Sequence, residues 1–273
     1  MSIVNATRAE FGKVFTVRLW WILLIVMFAY VALLSGVLAG VFGSLNLPRG
    51  ATGPAIIDLS QVHLVVYSTA SAIGYVFPVL LGALSATSEF RHQTLTPTFL
   101  ANPRRAQVLV AKTVSMAAVG ALFGLVSLVA SVGTGAVVLT AVGRDARFDD
   151  PDTWVLAVRV LLAMALWAVI GVALGTLVPN QVAVLVIVLG FTQFVEPILR
   201  SVSPIWEWTA TVGQFLPGAA SDALVGWSVF TSLGSATGGG VSLEWWQGGL
   251  VLFGVAVVAG VIGYAAVWKR DVT

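Results

Sequence analysis

Few residues in this 273-residue chain are of types that do covalent chemistry, and their spacing assembles none of them into a reactive group. There is no cysteine, which removes thiol nucleophiles, disulfides and thiolate metal sites. The two histidines, His63 and His92, fall on opposite sides of an apolar run, too far apart to share a metal ion. The only Gly-Lys pair, Gly12-Lys13, is followed by Val14 and lacks the earlier glycine of a phosphate-binding loop. No apolar run pairs a serine with a His or Lys base. The chain therefore reads as no enzyme, with no catalytic residue, metal ligand or cofactor site of its own. What remains is charge in two unusual places. Glu196 interrupts an apolar run, and Arg200 lies four residues on, on the same helix face. Residues 88–112 (SEFRHQTLTPTFLANPRRAQVLVAK) form a dense polar interval between two long apolar runs.

The elements that must position these groups are membrane helices. The chain is 58% hydrophobic and only 10% charged, with mean hydropathy +0.97, whereas soluble domains carry about 25% charged residues. Continuous apolar runs of helical length predict an all-α, polytopic membrane protein rather than a barrel of short alternating strands. Six spans are expected, at about 19–41, 63–86, 108–142, 154–178, 182–199 and 247–268, in one transmembrane domain covering 1–273. The first run is too long for a signal-peptide core and reads as retained.

Before the first span, residues 2–18 place Val4, Thr7, Phe11, Val14 and Phe15 on one helical face, with Arg8, Glu10 and Lys13 off it. That is the pattern of an interfacial helix; a plain extension of the first span is the alternative. Pro48, Gly50, Gly53 and Pro54 mark a loop, and Pro78 predicts a kink in the second span. Gly36 with Gly40, and Gly171 with Gly175, have the spacing that lets helices approach closely. The third run is long enough that its first turns, Lys112 included, are expected to protrude into water. The fifth run is short, so its helix either continues through Glu196 or ends within the membrane. Residues 201–243, rich in Trp, Pro and Gly, suggest two short re-entrant or interfacial helices. Arg159, just inside Trp154, reads as a snorkelling residue.

Counting Lys and Arg with the N-terminus inside puts nine on the inner side and five on the outer. The rule that positive charge stays inside then makes both termini, and the hairpin at 88–107, cytoplasmic. The basic residues flank spans rather than forming one patch, which argues against a nucleic-acid partner. Within the hairpin, Thr96 looks like an N-cap with Pro97 at the first helical position, and Asn102-Pro103 ends the turn. A very short helix would then offer Phe99 and Leu100 to a partner, flanked by Glu89, Arg91, Arg104 and Arg105. A solvated loop with incidental charges is the plainer alternative.

At these residues the sequence resembles the permease subunits of type 2 ATP-binding-cassette (ABC) exporters. Their loop between the second and third spans typically carries a Glu, a Thr-Leu, a Pro, an Arg and a Lys opening the third span. Here those are Glu89, Thr94-Leu95, Pro103, Arg105 and Lys112. The family commonly has Gly before the Thr, where this chain has Gln93. The likeness extends to an interfacial N-terminal helix, six spans and a broken segment between spans five and six.

The resemblance implies a coupling helix at about 94–101 that docks on a separate cytoplasmic ATPase subunit, which would bind the ATP and Mg. It also implies a second permease copy, favoured here as a homodimer, and export across the plasma (cell inner) membrane. Few charges inside the spans suit an apolar or amphipathic cargo such as a drug, peptide antibiotic or lipid. In that setting Glu196 and Arg200 either shape an outer gate or form a structural ion pair. An ATP-independent secondary transporter or channel-like protein is the alternative function, and a membrane anchor recruiting a partner through the hairpin is a third.

Overall fold

The computed structural model describes residues 2–45, 59–203, 207–228 and 243–268. Over those residues the chain is all-helical, with no strand. Six helical stretches are long and apolar enough to cross a membrane: Leu19–Ser44, Val62–Arg91, Arg105–Ala141, Pro151–Leu177, Gln181–Val202 and Trp245–Trp268. Each overlaps one expected span. The expected loop residues Pro48, Arg49, Gly50, Gly53 and Pro54 lie outside the described residues. So do Pro204, Trp206, residues 229–242 and the closing Lys269 and Arg270.

Helix α1 (Ile3–Thr16) starts at Ser2, whose hydroxyl oxygen accepts the Asn5 N–H at 3.3 Å. Its faces divide differently from the sequence reading. Val4 and Phe15 are exposed, Phe11 and Val14 pack on the core, and the buried residues are Ala6 and Glu10. The first span is α2 (Leu19–Ser44).

The second span is built from three pieces, α3 (Val62–Tyr67), α4 (Thr69–Ala72) and α5 (Val76–Arg91). The break precedes Pro78, for a local reason. Pro78 has no N–H for the Gly74 carbonyl, which instead accepts from the Phe77 N–H at 3.2 Å. After the hairpin helix α6 (Leu95–Ala101) come α7 (Arg105–Ala141) and α8 (Pro151–Leu177).

Helix α8 is the axis of the bundle, with α5 and α7 packed along it and Met164 and Trp167 buried in the seam. Glycine sets the α5–α8 spacing. A Cβ on Gly82 would sit 2.2 Å from the Ala168 carbonyl oxygen, and one on Gly171 would sit 2.2 Å from that of Val79. The Gly36/Gly40 pair is not used this way, since its nearest neighbour is a Val138 side chain at 3.9 and 3.8 Å.

The fifth span does not end inside the apolar run. It passes from α9 (Gln181–Gly190) through a π-turn (Phe191–Val195) into α10 (Glu196–Val202). Pro197 cannot donate to the Gln193 carbonyl, and one residue earlier the ladder widens so that the Glu196 N–H reaches Phe191 O. Among the described residues, two short helices follow, α11 (Glu207–Gly213) and α12 (Pro217–Val225), before the last span, α13 (Trp245–Gly263) with a closing π-turn (Tyr264–Trp268). One end of the bundle carries α1, the hairpin and Trp268. The far end carries α12 and the loop after α7.

Candidate functional site

The hairpin at 88–107 is shaped by how α5 stops. His92, Gln93 and Thr94 close a Schellman motif: the Gln93 N–H bonds Phe90 O at 3.3 Å and the Thr94 N–H bonds Glu89 O at 3.0 Å. The motif requires a left-handed residue, and Gln93 takes it with φ 54°. Helix α7 ends in the same motif with Gly143 (φ 79°) at the equivalent position. The glycine that the resemblance expects before Thr94 is therefore the residue this backbone favours.

Helix α6 begins two residues earlier than the sequence reading placed it. Thr94 is the N-cap, with no side-chain cap bond, and Pro97 falls within the first turn. That position tolerates proline because the first four N–H groups of a helix have no intrahelical partner.

The side chains of the hairpin sort into three environments. Leu95 is buried against Val108 and Trp268. Phe99 meets the Trp268 ring edge-on at 5.6 Å, and the Arg105 guanidinium lies 5.0 Å over the Phe99 ring. Arg105 also donates to the Trp268 carbonyl oxygen at 2.9 Å. Phe99 is thus half-buried in an internal cluster, so less of it faces outward than the sequence suggested, whereas Leu100 is 80% exposed. Thr94 and Pro103 are exposed beside it, and exposed Arg91 donates to Gln181 Oε1 at 3.0 Å, tying the hairpin to the start of α9.

On the other side of the hairpin, Glu89 belongs to an ionic cluster in which Glu10, Glu89 and Lys112 are buried and Lys13 is exposed. Lys112 Nζ donates to Glu10 Oε2 at 2.5 Å and to Glu89 Oε1 at 3.1 Å. Lys13 Nζ donates to Glu10 Oε1 at 2.5 Å and to Glu89 Oε1 at 2.8 Å. Two carboxylates and two ammonium groups therefore join α1, the end of α5 and the start of α7. Lys112 is 3% exposed, so it does not protrude into water as its position in the third run suggested. Burial would push the Glu10 carboxyl up, but Lys112 and then Lys13 outweigh it and hold Glu10 below its ordinary range. Burial likewise opposes the Lys13 charge, and Glu89 and Glu10 overcome it, raising Lys13 above the usual ammonium value. Sequence reasoning left Glu10 and Lys13 on a solvated face. Only the juxtaposition of α1 with α7, where Ser115 also donates to Thr7 O at 3.1 Å, shows their role.

The ionic cluster borders a cavity of about 510 Å³ open at this end, walled by Trp20, Leu81, Leu84 and Met116. Through these contacts the hairpin is tied to α1 on one side and to the end of the last span on the other.

At the far end, Glu196 and Arg200 do not pair with each other through a salt bridge. Glu196 Oε1 accepts the N–H groups of Gly218 at 2.5 Å and Ala219 at 3.2 Å, at the start of α12. A Cβ on Gly218 would meet Glu196 Oε1 at 2.5 Å, so the carboxylate would have to shift to make room for one. Arg200 instead pairs with Asp222, which also accepts from Ser228 Oγ at 2.8 Å. The partners lay some twenty residues further on, which helix periodicity could not reveal. Arg159, read as a snorkelling residue, lies with its guanidinium 5.1 Å from the centre of the Trp245 ring. His63 and His92 sit at opposite ends, and the described residues hold no group of metal-ligating side chains. No family model matches the chain, and no curated protein matches it either.

Proposed function

We propose that the chain is the permease half of an ABC exporter, with both termini and the hairpin cytoplasmic, in the plasma (cell inner) membrane. On this reading α1 lies in the inner interface, and α11 and α12 dip into the bilayer from outside. One observation carries the reading. Helix α6 presents Leu100 at 80% exposure while its other face is held to spans two, three and six. A short helix mounted so can pass a push from a docked ATPase into the bundle instead of yielding as a loop would. The positive-inside count supports the orientation. The ATPase would be a separate chain binding ATP and Mg, and a second permease copy, in a homodimer, would complete the path. The cargo would be apolar or amphipathic, with Glu196 and Arg200 near its exit.

The test is to purify the tagged chain in mild detergent beside Leu100→Asp and Phe99→Asp variants. An ATP-hydrolysing subunit should accompany the native chain and be lost from Leu100→Asp, whose melting temperature should not change. Phe99→Asp should lose both the subunit and thermal stability, because Phe99 also packs on Trp268. A native chain that brings no ATPase and transports unaided in liposomes would overturn the proposal. That outcome would favour the second reading, an ATP-independent transporter, which draws on one feature. Spans two and five are both interrupted, and they meet where the Tyr75 hydroxyl donates to Thr192 O at 3.3 Å.

A further inference from the structure

The far-end polar cluster surrounds a cavity of about 210 Å³ between α2, the break in the second span, α10 and α12. Its titratable lining is Glu196, Asp222 and Arg200, two carboxyl groups against one guanidinium. Asp222 is satisfied by Arg200 and Ser228. Glu196, 2% exposed, is satisfied on one oxygen only: Oε1 holds the α12 amides, and Oε2 has no hydrogen-bond partner.

Three neighbouring protein donors are committed elsewhere. The Tyr75 hydroxyl donates to Thr192 O, the Thr192 hydroxyl to Val188 O at 2.8 Å, and Trp167 Nε1 to Ser221 Oγ at 3.0 Å. A carboxylate oxygen left unpartnered at this depth is costly, so a donor from outside the chain is favoured. The rings of Tyr30 and Tyr75 also line the cavity, and Tyr75 is fixed by stacking on Trp167 at 4.4 Å. Aromatic faces beside a carboxylate suit an organic cation better than a hydrated metal ion.

We propose that this cavity binds a protonated organic amine, with Glu196 Oε2 as its hydrogen-bonded counter-ion and the tyrosine rings as its walls. The volume admits an ammonium head and its first few carbons, so the rest of the molecule would extend into lipid. The ammonium could belong to an amphipathic amine or to the head group of phosphatidylethanolamine. That this is the cargo site rests on the permease reading; the site itself does not.

The experiment uses the whole chain in nanodiscs of phosphatidylcholine and phosphatidylglycerol, titrated with n-octylamine and with n-octanol while tryptophan fluorescence is followed. Octylamine should bind at least about ten-fold more tightly than octanol, as expected for one charge-assisted hydrogen bond. Glu196→Gln should abolish that preference. The amide keeps an oxygen for the α12 N–H groups but turns a donor towards the cavity, so α12 should stay capped. Tyr30→Leu, at a position already 45% exposed, should weaken amine binding without unfolding. Adding phosphatidylethanolamine should weaken octylamine binding if the lipid head competes for the site, and leave it unchanged if the site selects free amines. Equal binding of amine and alcohol, or unchanged amine binding in both variants, would overturn the proposal. Absence of a co-purifying ATPase would leave these results standing and remove only the permease reading.

Discussion

Replacing Lys112 by methionine tests whether the cluster joining α1 to the hairpin is one closed charge network. In the native chain Lys112 is 3% exposed and faces Glu10 at 2.5 Å and Glu89 at 3.1 Å. The variant leaves both carboxylates, each about as buried, sharing the single ammonium of Lys13. One buried negative charge is then uncompensated, and losing one member of a buried ionic group costs about 3–5 kcal/mol. Glu10→Gln should cost less, because Lys112 keeps Glu89 as its partner and the excess positive charge falls on Lys13, whose side chain is 44% exposed. Glu10→Gln combined with Lys112→Met removes one charge of each sign and leaves Lys13 and Glu89 paired at 2.8 Å. The double variant should therefore recover at least about 2 kcal/mol relative to the sum of the single losses. The assay is reversible unfolding in bicelles by sodium dodecyl sulfate, read by circular dichroism. Single losses below about 1 kcal/mol, or strict additivity in the double variant, would refute the network.

The same groups set a pH profile. Glu10 lies below its ordinary range when folded, so its contribution is complete above about pH 4.3 and is lost as pH falls through the folded value. Lys13 is raised, so its contribution is complete below about pH 10.4 and is lost as pH rises through the folded value. Thermal melts in nanodiscs should show a plateau between these limits, and Glu10→Gln should flatten the acid side. Gln93→Gly should raise stability by about 0.5–1 kcal/mol, since only the side chain resists the left-handed conformation, and Gly143→Gln should lower it comparably. Denaturant midpoints for both variants check this. Gly171→Ala should cost about 2–3 kcal/mol by forcing a Cβ to within 2.2 Å of Val79 O, whereas Gly36→Ala should cost under about 0.5 kcal/mol. Equal effects would show that the α5–α8 seam can relax.

Sequence alone determined the helical class and the number of spans, because a run of about 20 apolar residues has one low-cost arrangement in lipid. It also placed the polar interval at 88–107 between two spans and marked Pro78 as a disturbance, since a missing N–H acts on its own helix. Tertiary structure decided what the charges do. Glu10, Glu89, Lys13 and Lys112 come from three separate helices, and each read alone looks like a solvated surface residue. Glu196 and Arg200 share a helix face, yet each found its partner on α12. Phe99 and Leu100 are neighbours with similar apolar character, and only the position of Trp268 separates the anchor from the exposed residue. Two identical small-residue spacings diverged for the same reason: Gly171 faces a backbone and Gly36 faces a side chain. Local periodicity specifies a helix and its apolar and polar faces, but ion pairing and packing depend on which distant helix arrives opposite, and that is a property of the assembled bundle.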